Sequence, residues 1–463
     1  MIDSELRAKY FFISGKTALN FSNYLKGHEM LSNAQRIYEN IGNDIWKLNC
    51  CMLLGRVAYK LQNYSEAESI LRNVMNQFHV IDHKLGAAQC LQELGKMAYM
   101  VKNYSEAEIS YREAIKQFQV IDNKLGAAQC LQGLGSIADR LQNYSEAEAS
   151  FREAMKQFQA IDDKLGAAQC VQGLGNVAYM LKNYSEADAF FREAINQFHT
   201  IDNKLGVAQC VQGLGYNAYD LKNYSEADAS FKEAMTQFQA IDNKLGAAQC
   251  VQGLGNVAYM LKNYSEAETT LREAMSQFHA IDNKLGAAQC VQYLGDVAYK
   301  LKNYVEAEAS FREAMKQFQT IDNKIGAAQC LTHLGDIAYM LNNDSEAKAT
   351  IRKGMKEFYA SDCKLGAAQC LQRVGAIAYH LCKYSDAEQR VAEAMKRFDS
   401  IDSNNDKLEA ARSLFSLGKI AYEVHNHADA KEYWITAQEI FQESGAIDDV
   451  QICIENLALL VEH

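Results

Sequence analysis

Apolar positions along this chain follow two periods at once, a short one of three to four residues and a long one of forty. Within Leu125 to Gln142, the residues Ala127, Cys130, Leu131, Leu134, Ile137, Ala138 and Leu141 fall three and four apart, which predicts an amphipathic helix. The stretch "NYSEAE" follows. In it Ser145 is placed to cap a second helix, with Glu148 three residues on to complete the reciprocal pairing of side chain and amide. That second helix carries Ala147, Phe151, Ala154, Met155, Phe158 and Ile161 on its apolar stripe. "IDNK" or "IDDK" then turns the chain back, with Asn or Asp available to cap the next first helix.

Offsetting the chain against itself by forty predicts eleven copies of this pair. The first is a degenerate stretch from about Ser4 to Ile41, and nine more run to Ile401. The last, displaced by three inserted residues around Ser403 to Asn405, ends near Gly445. Val450, Cys453, Leu457 and Leu460 in the final segment again have helical spacing and predict a capping helix. The expected organisation is a solenoid over 1–445 and a cap over 446–463, all-α throughout. Proline is absent, where average usage would place roughly 23. Uninterrupted helix tolerates that best.

Leu131, Leu134, Gly135, Ala147, Phe151 and Ala154 stand at the spacing of the tetratricopeptide repeat signature, which this chain resembles over nearly its whole length. The resemblance implies antiparallel helix pairs stacked into a right-handed superhelix, with first helices lining a concave groove. Departures are regular: Leu or Val replaces the signature Trp, Ala138 its Tyr, and the closing Pro is missing. A period of forty resembles the long-repeat branch of kinesin light chains, Pins-type adaptors and the sensor regions of fungal and bacterial NLR-like NTPases.

A net charge of −11 excludes the basic surface that nucleic-acid binding needs, and no apolar run reaches membrane-spanning length. The start "MIDSELRAKYFFIS" is too charged for a secretory signal, so the expected compartment is the cytoplasm. Asn-x-Ser sequons such as Asn63 and Asn103 are the turn of each repeat.

The thiols at Cys90, Cys130, Cys170 and their equivalents lie on the core stripe. Packed helices lie about 8–10 Å apart, too far for a disulfide, so these cysteines read as small apolar core residues. Cys363 and Cys382, at helix ends, are expected to be more exposed. "SGKTA" at Ser14 to Ala18 imitates half a phosphate loop, but Tyr10 holds the place of its first glycine, and Gly15 aligns with Gly55 and Gly135 of the repeat. His425, His427 and Asp429 occupy a turn. No catalytic constellation, metal set or cofactor motif stands apart from the repeat.

What differs between copies therefore carries the information. Glutamines recur at Gln129 and Gln132, and tyrosines in a row through Tyr179, Tyr219 and Tyr259. A variable row runs Arg56, Lys96, Ser136, Asn176, Tyr216, Asn256, Asp296, Asp336. Another runs Gly133, Gly173, Gly213, Gly253, Tyr293, His333, Arg373. Mid-helix glycine costs about 1 kcal/mol relative to alanine, so this run needs a close neighbour: either a ligand backbone over an open glycine floor, or the helix of the next copy.

Amides and phenols suit an extended peptide. Asn176 and Asn256 match the place where Pins-type and kinesin-type repeats resembling this one carry peptide-gripping asparagines. The expected contacts are Lys96, Gln132, Gln172, Asn176, Tyr179, Gln212, Tyr216, Tyr219, Gln252, Asn256, Tyr259, Tyr293, Asp296, His333, Asp336 and Arg373. The expectation is a non-catalytic scaffold holding a peptide or protein segment in its groove, with neither nucleic acid nor membrane as partner. The likeness of the copies adds end-to-end self-association. The alternative is the sensor region of an NLR-like NTPase whose switch domain lies elsewhere.

Overall fold

The computed structural model describes residues 2–361, 363–399, 404–444 and 446–460. Among these are 23 helices and no strand. In chain order they begin α1 (Ile2–Asn20), α2 (Tyr24–Asn40), α3 (Asp44–Lys60), α4 (Tyr64–Val80), α5 (Lys84–Met100), α6 (Tyr104–Val120), α7 (Lys124–Arg140) and α8 (Tyr144–Ala160). Next come α9 (Lys164–Met180), α10 (Tyr184–Thr200), α11 (Lys204–Asp220), α12 (Tyr224–Ala240), α13 (Lys244–Met260), α14 (Tyr264–Ala280), α15 (Lys284–Lys300) and α16 (Tyr304–Thr320). The chain closes with α17 (Lys324–Met340), α18 (Asp344–Ala360), α19 (Lys364–His380), α20 (Tyr384–Asp399), α21 (Asn404–Glu423), α22 (His427–Glu443) and α23 (Ile447–Leu459). Of the expected insertion, Ser403 lies outside the described residues, as do Gly445 and 461–463. The helices form two compact units, Met1–Gly213 and Leu214–His463.

Caps set the helix starts. Asn123 Oδ1 accepts from the Gly126 amide at 2.8 Å, and Asp163 does the same for Gly166 at 2.9 Å, as the "IDNK" reading expects. At second helices the cap is not Ser145 but Asn143, two residues earlier. Its Nδ2 donates to Glu146 Oε2 at 2.8 Å, and in the preceding copy Asn103 Oδ1 accepts from the Glu106 amide at 3.3 Å. The longer amide caps a helix that opens at Tyr144, leaving Ser145 as its second residue; at the equivalent Asn303 the side chain both donates to Glu306 Oε2 and accepts from the Glu306 N–H. The residue after the C-cap is left-handed, glycine at Gly42 (φ 71°) but not glycine in the later copies: Gln142 has φ 61°, Asp162 55° and Lys182 62°.

The core repeats one joint. The Phe151 ring is clasped between Gly135 of its own pair and Gly173 of the next; Phe191 lies likewise between Gly175 and Gly213, and Phe231 between Gly215 and Gly253. A methyl added at Gly173 would stand 2.9 Å from the Phe151 ring. A second ring, Phe118, covers Gly126, and Cys130 sits beside it, fully buried with Ala114 and Ala127. All thirteen cysteines are free. Burial pushes the Cys130 thiol up to about 12 and Cys170 likewise, so they pack as apolar groups. Gly15 belongs to the same scheme: it lies inside α1, facing Leu31. α23 tucks Cys453 against Ala437 and Phe441 of α22.

Within each unit, first helices of successive pairs approach one another (α5 with α7, α7 with α9, α13 with α15, α15 with α17). Among the described residues the second helices make no comparable approach. Each stack therefore bends toward its first helices, which form the inner side of the local curvature.

Candidate functional site

All sixteen residues singled out by sequence lie on first helices, and none is fully buried; Lys96, Asn176 and Tyr293 are exposed. The two rows that vary between copies meet across the seam between neighbouring first helices, at an offset of 37. Arg56 Nε stands 3.2 Å from Glu93, which Lys96 also reaches at 3.0 Å. His333 Nδ1 lies 3.6 Å from Asp296, and Arg373 pairs with Asp336. The glutamines use the same offset: Gln92 Nε2 donates to Gln129 Oε1 at 2.8 Å, Gln132 to Gln169 at 3.2 Å, and Gln172 to Gln209 at 3.2 Å. Each such amide keeps one N–H and further acceptor capacity for another partner.

The glycine row is not an open floor. Gly133, Gly173, Gly213 and Gly253 each abut the ring of the preceding second helix, so the close neighbour is the protein itself. Where that second-helix residue shrinks, the row grows. Leu71 is matched by Glu93, Leu271 by Tyr293 and Ile351 by Arg373, whereas Tyr111, Phe151, Phe191 and Phe231 are matched by glycine. Phe311 takes the remaining option, with His333 stacked flat on it at 4.7 Å and an interplanar angle of 5°. Tyr293, His333 and Arg373 thus fill volume as well as lining the seam. The pairing was present in the sequence at an offset of 22.

Tyrosines of the constant row lean on the first residue of their own second helix. Tyr259 and Tyr264 lie 6.0 Å apart, Tyr219 and Tyr224 5.9 Å, and Tyr179 and Tyr184 6.1 Å. Tyr216 packs edge-on against Phe231 at 5.0 Å. Burial raises Tyr216, Tyr219 and Tyr259 well above the usual phenol range, so all three stay neutral donors at physiological pH. Asp296 is pushed up to about 7 by burial, against the opposing pull of Lys300 and Arg373. His333 is pushed down to about 3, by burial first and Arg373 second, and is therefore neutral.

Depressions open along the inner face. One of about 340 Å³ brings Gln132, Gln172 and Asn176 together with Tyr99, Asp139 and Arg140, whose Nε lies 3.4 Å from Tyr99 Oη. A second is walled by Tyr59, Tyr99 and Met97 beneath Arg56 and Lys96, and a third adjoins Arg373, Tyr379 and His380. Sequence reasoning missed Arg56, Glu93 and Arg140 as members; the offset of 37 between opposite charges was the available signal for Arg56 and Glu93, and Arg140, which meets Tyr99 at an offset of 41, had none. His425 stands in the turn before α22 and His427 is the first residue of that helix, which Asn426 caps while donating to Asp429. No helix among the described residues is long and apolar enough to cross a membrane.

Antiparallel helix pairs stacked through one recurring joint define a helical-repeat protein with its variable surface on the inner face. The tetratricopeptide repeat family model matches residues 48–119, 124–198, 207–278 and 287–356, more than half the chain, and the protein belongs to that family. No curated protein matches it in sequence. Among solved structures it is similar to the apo form of the quorum sensor NprR from B. thuringiensis (13% identity, TM-score 0.54, covering 79% of this chain and 99% of that one). It is also similar to aspartyl phosphate phosphatase F from Bacillus subtilis (14%, 0.53, 76% and 93%). A third is a signal transduction ATPase with a tetratricopeptide repeat sensor from Pyrococcus horikoshii (16%, 0.53, 73% and 52%). At these identities the likeness concerns the fold.

Proposed function

We propose that the chain is a non-catalytic interaction module that holds an extended peptide or protein segment along the inner face of its first helices. The observation carrying this reading is the run, within each unit, of partly exposed amides, phenols and ions on that face, which in the first unit opens into the depression that joins Gln132, Gln172 and Asn176. Amides that donate and accept at once match a peptide main chain, and neutral phenols add flat apolar area with one polar tip. A photo-crosslinking residue placed at Asn176 or Tyr293 is expected to capture a peptide selected from a library. The same group at Lys156, exposed on a second helix, is expected to stay unreacted. Preferential capture at Lys156 would refute the reading.

A second reading makes the chain the sensor of a signalling NTPase supplied elsewhere, and the likeness to the P. horikoshii sensor protein favours it. Under that reading, peptide binding would change the hydrolysis rate of a co-purifying NTPase.

A further inference from the structure

This inference rests on the peptide-binding reading and names the chemistry of one contact. In the second unit, the seam between α13 and α15 gathers Asn256, Tyr259, Tyr293 and Asp296, with Tyr219 of α11 beside them. Glu93 and Asp336, elsewhere in the seams, are each held by a cation. Asp296 has none: among the described residues no lysine or arginine lies within ion-pair distance, and its neighbour at 3.6 Å is the His333 ring. Asn256 lies beside Tyr293, and its Oδ1 is buried with no donor. The corner is reachable, since the Asp296 side chain keeps 19% of its exposure and Tyr293 36%.

A planar cation with several donors answers both deficits. A guanidinium presents five N–H groups and stacks on aromatic faces, whereas an ammonium is a strongly hydrated point charge. We propose that this corner receives an arginine side chain of the bound segment, its guanidinium on the Asp296 carboxylate and against the rings of Tyr259 and Tyr293.

The groups facing Asp296 are Tyr293 and Lys300 on α15, Tyr259 on α13, Cys330, His333 and Asp336 on α17, and Arg373 on α19. Burial outweighs their sum and brings the carboxyl to about 7. An arriving guanidinium favours the ionised form, so capture expels a proton and affinity falls about tenfold from pH 8 to pH 6.

The test uses the full chain, a phage-displayed random peptide library, and resynthesised hits with arginine replaced by citrulline. Arginine is expected at one enriched position, with citrulline binding about tenfold weaker or worse. Asp296→Asn is expected to weaken the arginine peptide by a similar factor, to leave the citrulline peptide unchanged, and to abolish the loss at pH 6. Hits without arginine, or an Asp296→Asn variant that separates the two peptides as well as the wild type does, would overturn the proposal and leave the peptide-binding reading standing. A library that yields no binder removes both.

Discussion

Phe151 answers to two glycines thirty-eight residues apart, Gly135 in its own helix pair and Gly173 in the next. Burying such a ring contributes roughly 1.5–3 kcal/mol, and the missing methyl groups let the helices close on it. Gly173→Ala ought to gain about 1 kcal/mol from helix propensity alone. With Phe151 2.9 Å from the new methyl, the expected result is the reverse, a lower melting temperature. The natural alternative, Phe151→Leu with Gly173→Tyr as at Leu271 and Tyr293, is expected to melt closer to the wild type than Gly173→Ala does; thermal denaturation of the two variants checks both statements. At the turns the strain runs the other way. Lys182, at φ 62°, occupies a position that glycine fills without penalty, and Lys182→Gly is expected to stabilise by about 0.5–1 kcal/mol in urea titration.

At the scale of elements, the seam between first helices carries the electrostatics. His333 lies flat on Phe311 and is neutral when folded, at about 3, while an unfolded histidine titrates near 6.5. The folded pKa is lower, so the unfolded chain takes up the proton first, and stability drains as pH falls from about 6.5 toward 3. His333→Phe is expected to flatten that part of the stability–pH curve relative to wild type, measured by urea unfolding at steps between pH 7 and 4. The helices themselves were legible from apolar spacing, because a period of 3.6 over seventeen residues admits few readings. The cap was misplaced from Asn143 to Ser145 because both residue types cap, and only the reach of the longer amide decides between them. In the candidate site, the rows were legible as rows. Their offsets of 37 and 22 stand in the sequence as compensating residue types between copies, but that these offsets are contacts depends on the inclination of one pair on the next, which the sequence of one copy does not contain.

At the scale of the whole chain, joints of one design make parts interchangeable in some places and not in others. Removing residues 164–203 would bring Phe151 against Gly213 in place of Gly173, an equivalent fit, and the shortened protein is expected to melt cooperatively near the wild-type temperature. Removing 284–323 would set His333 against Leu271 and delete Asp296 from the seam, so that variant is expected to melt several degrees lower. Calorimetry of the two deletions decides between joint design and mere length.

Near-identical copies carry a hazard of their own during folding, because a helix pair that docks one period out of step meets almost the same clasp it should have met. Leu271 with Tyr293, Ile351 with Arg373 and Arg56 with Glu93 have no duplicate elsewhere in the chain. They act as keys in an otherwise uniform row of locks, and a chain whose keys were all made alike would keep its helices while losing count of them.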